Sequence, residues 1–96
     1  MLQQVTIRTT NRTALEPLLK AAIENERRVL WLGLERTRKR LTRFEQEYGM
    51  SSVEFERRLN TCELDETVEF TDWRMEIGMR HLLENQYHTL QEVRFD

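Results

Sequence analysis

From Ala14 to Tyr48 the chain reads as one uninterrupted helix, and that run is too long for a compact fold of 96 residues. It holds one proline, Pro17, near its start and one glycine, Gly33. Between them stand mostly Leu, Ala, Glu, Lys, Arg and Gln, the better helix formers. A helix of this length spans about 52 Å. A compact domain of this size has a diameter of about 32 Å. The run therefore predicts an elongated helical hairpin that completes its core against another chain, and small size adds to that expectation, because short chains bury little of their surface.

The rest of the chain is punctuated simply. Residues 3–9 alternate, with Val5 and Ile7 on one side and Gln4, Thr6 and Arg8 on the other. That pattern predicts a short strand or arm. No second strand is visible, so a strand here needs a partner, either its own copy in a second subunit or another protein. Thr13-x-x-Glu16 reads as a capping box opening a helix over 14–48. Its seam is Leu15, Leu19, Ala22 or Ile23, Leu30, Leu34, Thr37, Leu41, Phe44 and Tyr48, close to a heptad. Between Val29 and Leu34 the apolar face widens, as if more than one helix touches it there.

Gly49 ends this helix. Ser51 or Ser52 then caps a short helix over 51–60, with Val53, Phe55 and Leu59 as its apolar side. Residues 60–66 form a polar elbow, and a third helix runs over 67–93. Gly33 and Gly78 lie at comparable distances from the elbow and predict a tight helix crossing. The fold class is thus mainly all-α: a single domain built as a long antiparallel hairpin, with an elbow helix and an N-terminal strand or arm. Two copies are expected to pack as a coiled-coil-like four-helix bundle. A homodimer or higher homo-oligomer follows.

Composition narrows the function classes. Apolar residues make up 39% and charged residues 33%, and no apolar run approaches a membrane span. The first ten residues lack a charged-then-apolar leader, which points away from secretion. Cys62 is alone, which fits a reducing cytoplasm, and it reads as a small half-buried side chain. Net charge is −2 but divided: residues 1–43 sum to +6 and residues 44–96 to −8. The halves should attract within a hairpin or across a dimer. The cluster Arg36, Arg38, Lys39, Arg40 and Arg43 is phosphate-binding in type, yet reads better as the acid-facing and solvated side of the first helix.

Candidate chemistry is sparse. His81, Glu84 and His88 share one helix face, but no second ligand set accompanies them, so no metal or cofactor is expected. Arg74 and His81 have the Arg-x(4–6)-His spacing of a helical RNase group, the HEPN superfamily, with His as general acid or base and Arg as phosphorane stabiliser. Two turns separate them, about 10 Å along the axis. The strand suggests a different class: in ribbon-helix-helix repressors paired N-terminal strands read the major groove, and Gln4, Thr6 and Arg8 are suitable readers. The next segment there turns between two helices, whereas here it continues as helix. Nucleic acid is therefore not the favoured partner, and no enzyme is expected. The favoured interface residues are Leu30, Trp31, Leu34, Leu41, Phe44, Phe55, Trp73 and Ile77.

Two stretches, Leu34–Leu59 and Phe70–Phe95, carry a resemblance. Phe44, Glu45, Tyr48, Gly49, Met50, Ser51, Ser52, Glu54 and Phe55 form an FExxYGMSSxEF segment, followed by Phe70, Trp73, Leu90, Val93 and Arg94. The chain resembles, over about residues 14–95, a family of small bacterial and archaeal helical proteins. The resemblance implies the upstream, antitoxin-like member of a toxin–antitoxin type gene pair, binding a partner protein encoded next to it. Two motifs depart from that pattern. The usual WxGE is Trp73-Arg74-Met75-Glu76, and the usual GELGD elbow is Cys62–Glu66, CELDE.

Overall fold

The computed structural model describes residues 1–95. Three helices follow one another: α1 (Arg12–Tyr48), α2 (Ser52–Asn60) and α3 (Val68–Gln91). The expected helix over 14–48 starts two residues earlier. Its cap is Asn11, whose side chain accepts a hydrogen bond from the Ala14 amide, in place of the expected Thr13 capping box. Pro17 sits inside the helix, on its exposed surface. Gly49 closes α1 with φ 65°, a left-handed value that an L side chain seldom adopts.

Ser51 caps α2 by accepting from the Glu54 amide, and Thr67 caps α3 by accepting from the Phe70 amide. Between them, α2 ends in a paired backbone turn. The Cys62 amide donates to Leu59 and the Glu63 amide to Arg58, the two bonds of a Schellman motif. Cys62 occupies its left-handed position with φ 60°, where glycine is usual. That geometry turns the thiol outward, so Cys62 is exposed and not half-buried as its neighbourhood suggested.

α3 returns along α1 in a fixed antiparallel register. Phe44 stacks on Trp73 at 5.5 Å, Arg40 pairs with Glu76 at 2.9 Å, Trp31 packs on Tyr87 at 5.7 Å, and Arg27 donates to the Leu90 carbonyl at 3.0 Å. The result is a rod of 59 × 25 × 18 Å with a radius of gyration of 19.0 Å. A compact chain of this length would have about 12–13 Å.

The seam expected on α1 is the seam observed. Leu30, Leu34, Thr37 and Leu41 are buried, with Leu15, Leu19, Ile23, Phe44 and Tyr48 half-buried beside them. The core is concentrated at the elbow end, where α2 folds under the hairpin. Trp73, Phe55, Leu41 and Ile77 are fully buried there, ringed by Phe44, Tyr48, Met50, Leu59, Leu64 and Phe70. Phe55 lies flat on the Trp73 indole at 3.9 Å, and the indole N–H donates to the buried Ser52 hydroxyl at 3.0 Å. Val53 was expected on this side and points to solvent instead, because it sits about 100° around the helix from Ser52 and about 160° from Phe55.

Two further expectations change. A Cβ at Gly33 would meet Leu83 at an ordinary 3.5 Å, and a Cβ at Gly78 would meet nothing within 4 Å. The helices therefore do not cross tightly at these glycines, and Gly78 faces solvent. Residues 3–9 carry no strand in the single chain, and every residue of that arm is exposed. Among the described residues no helix is long and apolar enough to cross a membrane.

Candidate protein-interaction surface

The residues named from sequence as an interface divide sharply. Leu30, Leu34, Leu41, Phe55, Trp73 and Ile77 are buried inside this chain's own core, so they are not presented to a partner in this conformation. Phe44 is half-buried against Trp73. Trp31 alone stays open, 42% exposed, with its ring against Tyr87 and the Arg38 guanidinium 5.6 Å from its centre. α2 accounts for the elbow members of this set, Leu41, Phe55, Trp73 and Ile77. It closes the elbow end of the hairpin and removes the need for a second chain there.

What stays exposed is a second apolar pattern. Leu18, Val29 and Leu32 on α1, and Met75, Met79 and Leu82 on α3, are between 45% and 67% exposed. On α1 the spacing Leu18, Ala22, Asn25, Val29, Leu32 alternates four and three, a stripe of its own beside the buried seam. At about 100° per residue this stripe lies about 130° around α1 from the seam. The stripe on α3, with Val68 at its start, lies about 120° from the centre of the inward-facing set Trp73, Glu76, Ile77, Leu83 and Tyr87, with the same hand along the chain. Because the helices are antiparallel, similar offsets of one hand bring both stripes toward one side of the hairpin.

That side is the one on which Gly33 meets Leu83 and Arg40 pairs with Glu76. α2 lies on the other, where the Ser52 amide donates to Glu45 at 2.8 Å. The register places Leu82, Met79 and Met75 level with Leu34, Thr37 and Leu41. The apolar band thus runs obliquely. It occupies the N-terminal half of α1, crosses beside Gly33, and continues on the N-terminal half of α3. Arg40, Arg43, Phe44, Asp72 and Met75 line a groove of about 340 Å³ at its far end.

Charge is sorted along the rod. The elbow and first turns of α3 hold Glu63, Asp65, Glu66, Glu69 and Asp72. Arg57 forks onto Glu54 at 2.7 and 3.0 Å and Arg58 adds a bond at 2.9 Å. These hydrogen bonds, Arg57 first, hold the Glu54 carboxyl down at about 2. The Thr61 hydroxyl, with Arg57 behind it, lowers Glu63 as well. Both pairs are solvent-exposed, so salt screens them. Arg8 and Arg12 lie at the opposite end of the rod. Within the basic cluster, Arg40 reaches across to Glu76 and Arg38 pairs locally with Glu35.

The catalytic alternative is not assembled. Arg74 is tied to Glu66, His81 is exposed, and neither lines the groove just described or the hollow beside Trp31 and Tyr87. His88 pairs with Glu92 at 3.1 Å. Among the described residues no group of three metal-ligating side chains converges. Gln4, Thr6 and Arg8 are exposed on the arm. Sequence reasoning missed Ser52 as the partner of the indole, and missed the exposed band. The signal for the band was present in the second four-three repeat beside the seam. Comparison with family models, curated proteins and solved structures finds no match.

Proposed function

We propose that this chain is a non-catalytic interaction protein that binds a partner protein through the exposed apolar faces of its hairpin, with association into a four-helix, coiled-coil-like bundle as part of that role. One observation carries the reading. The chain closes its own core and still leaves six large apolar side chains on one side of the rod. Large apolar side chains grouped on one exposed side of a molecule mark association sites. The antitoxin-like assignment rests on the resemblance in Phe44–Phe55 and Phe70–Arg94, and the lone Cys62 supports a cytoplasmic setting.

Co-expression with the product of the neighbouring gene, with a tag on one chain only, tests this. The expected result is a stable complex that survives purification and gives a single mass by light scattering. Recovery of the tagged chain alone contradicts it. A second reading, DNA recognition by paired arms, is favoured by the exposed residues Gln4, Thr6 and Arg8. It requires two arms side by side. The RNase reading of Arg74 and His81 has no geometric support.

A further inference from the structure

The oblique band has an occupant whose shape and charge are already on the page. A band that passes from one helix to the other is mapped onto itself by a two-fold axis lying in the face. An axis across the band also reverses it. Placed beside Val29 and Leu32, that axis lets α1 of one copy cross α1 of the other there. The N-terminal half of each α1 then lies over the first half of the other copy's α3, with Leu18 and Ala22 at the level of the partner's Met75 and Met79. The apolar half of α1 meets the apolar half of α3, and the exposed methionines supply adaptable contact surface.

Charge selects this orientation over its alternative. With the band reversed, the end carrying Arg8 and Arg12 comes to the partner's elbow. That elbow holds five acids between Glu63 and Asp72; Glu63 is paired with Arg57 and Glu66 with Arg74, and Asp65, Glu69 and Asp72 have no cation partner among the described residues. Unlike charges then meet at both ends of the pair. An axis along the band sets acidic elbow against acidic elbow and basic arm against basic arm, and like charges brought together oppose association. Reversal also leaves Arg36, Lys39 and Arg43, which have no ion pair among the described residues, at the open rim.

We propose that a second copy of this chain docks on the Leu18–Leu32 and Met75–Leu82 band, crossed and antiparallel, so that each α1 covers the partner's α3 and each N-terminal arm meets the partner's acidic elbow. The proposal rests on the interaction reading above and deepens it. It has a consequence for the arms. They lie at opposite ends of a rod 59 Å long, so they do not pair with each other inside this dimer.

Light scattering on the full chain should give twice 11.7 kDa. Leu32→Glu and Met79→Glu, both at exposed positions, should give monomers with unchanged far-ultraviolet helicity. Orientation is read by cysteine crosslinking in a Cys62→Ser background. Mixing Leu18→Cys with Met75→Cys chains should give the mixed disulfide. A monomer at about 0.1 mM, weaker than ordinary specific association, overturns the proposal. A dimer indifferent to both glutamates overturns it, as does Leu18→Cys crosslinking mainly to itself. The two readings fail separately. A monomer that still captures the neighbouring gene's product overturns the dimer and keeps the interaction reading. A dimer of this geometry that captures no partner does the reverse.

Discussion

Trp73 is the residue on which the elbow core depends. Its indole lies flat on Phe55, stacks near Phe44 and Tyr48, and spends its one donor on Ser52. Trp73→Ala should therefore cost about 3–5 kcal/mol, read as a lower denaturation midpoint with helicity lost at α2 first. An unchanged midpoint would deny the ring its place in the core. Gly78 makes the opposite case. With open space around its missing Cβ and helical backbone, Gly78→Ala should raise stability by about 1 kcal/mol. A loss instead would mean that the position is covered by something outside this chain. The importance of Trp73 was legible in the sequence from its size and spacing. The exposure of Gly78 was not, because glycine reads alike whether it permits a close approach or marks an open surface.

At the scale of elements, local signals predicted well and the missing information was tertiary. Ser51, Gly49 and the α1 seam were legible because caps and periodicity are set by a few neighbouring residues. The start of α1 shifted since Asn11, a better cap than Thr, offered an earlier stop. The strand over residues 3–9 had the right alternation, but alternation alone cannot hold a strand whose backbone groups have no neighbour. α2 is the element most sensitive to pH. Its Glu54 has a folded value of about 2, below the ordinary 4.5, so its contribution is complete above about 4.5 and is lost as pH falls toward 2. Because the fork with Arg57 and Arg58 is exposed, salt should shrink the effect. Glu54→Gln should lower stability at pH 7, flatten the profile in that acid range and meet the parent near pH 2. An identical acid limb in the variant would assign the pH dependence to other carboxylates.

For the whole molecule, length against helix content gave the shape. A rod with a 19.0 Å radius of gyration follows from one long helix with a partner folded back on it. The site was the part least legible. The apolar residues expected to need a second chain are buried within the hairpin: Leu41, Trp73 and Ile77 pack in the elbow core with Phe55 of α2, and Leu30 and Leu34 are buried farther along α1, outside that cluster. The fold of α2 under the hairpin depends on long-range contacts from Phe55 and Ser52 to Trp73. The surface left for a partner is the weaker, interrupted repeat through Leu18, Val29 and Leu32, joined to Met75, Met79 and Leu82 only by the register of α1 and α3. That the band is an association surface is the central claim, and light scattering of the purified chain beside Leu32→Glu tests it most directly. The account predicts a dimer of the parent chain and a helical monomer of the variant. Equal masses for the two would contradict it.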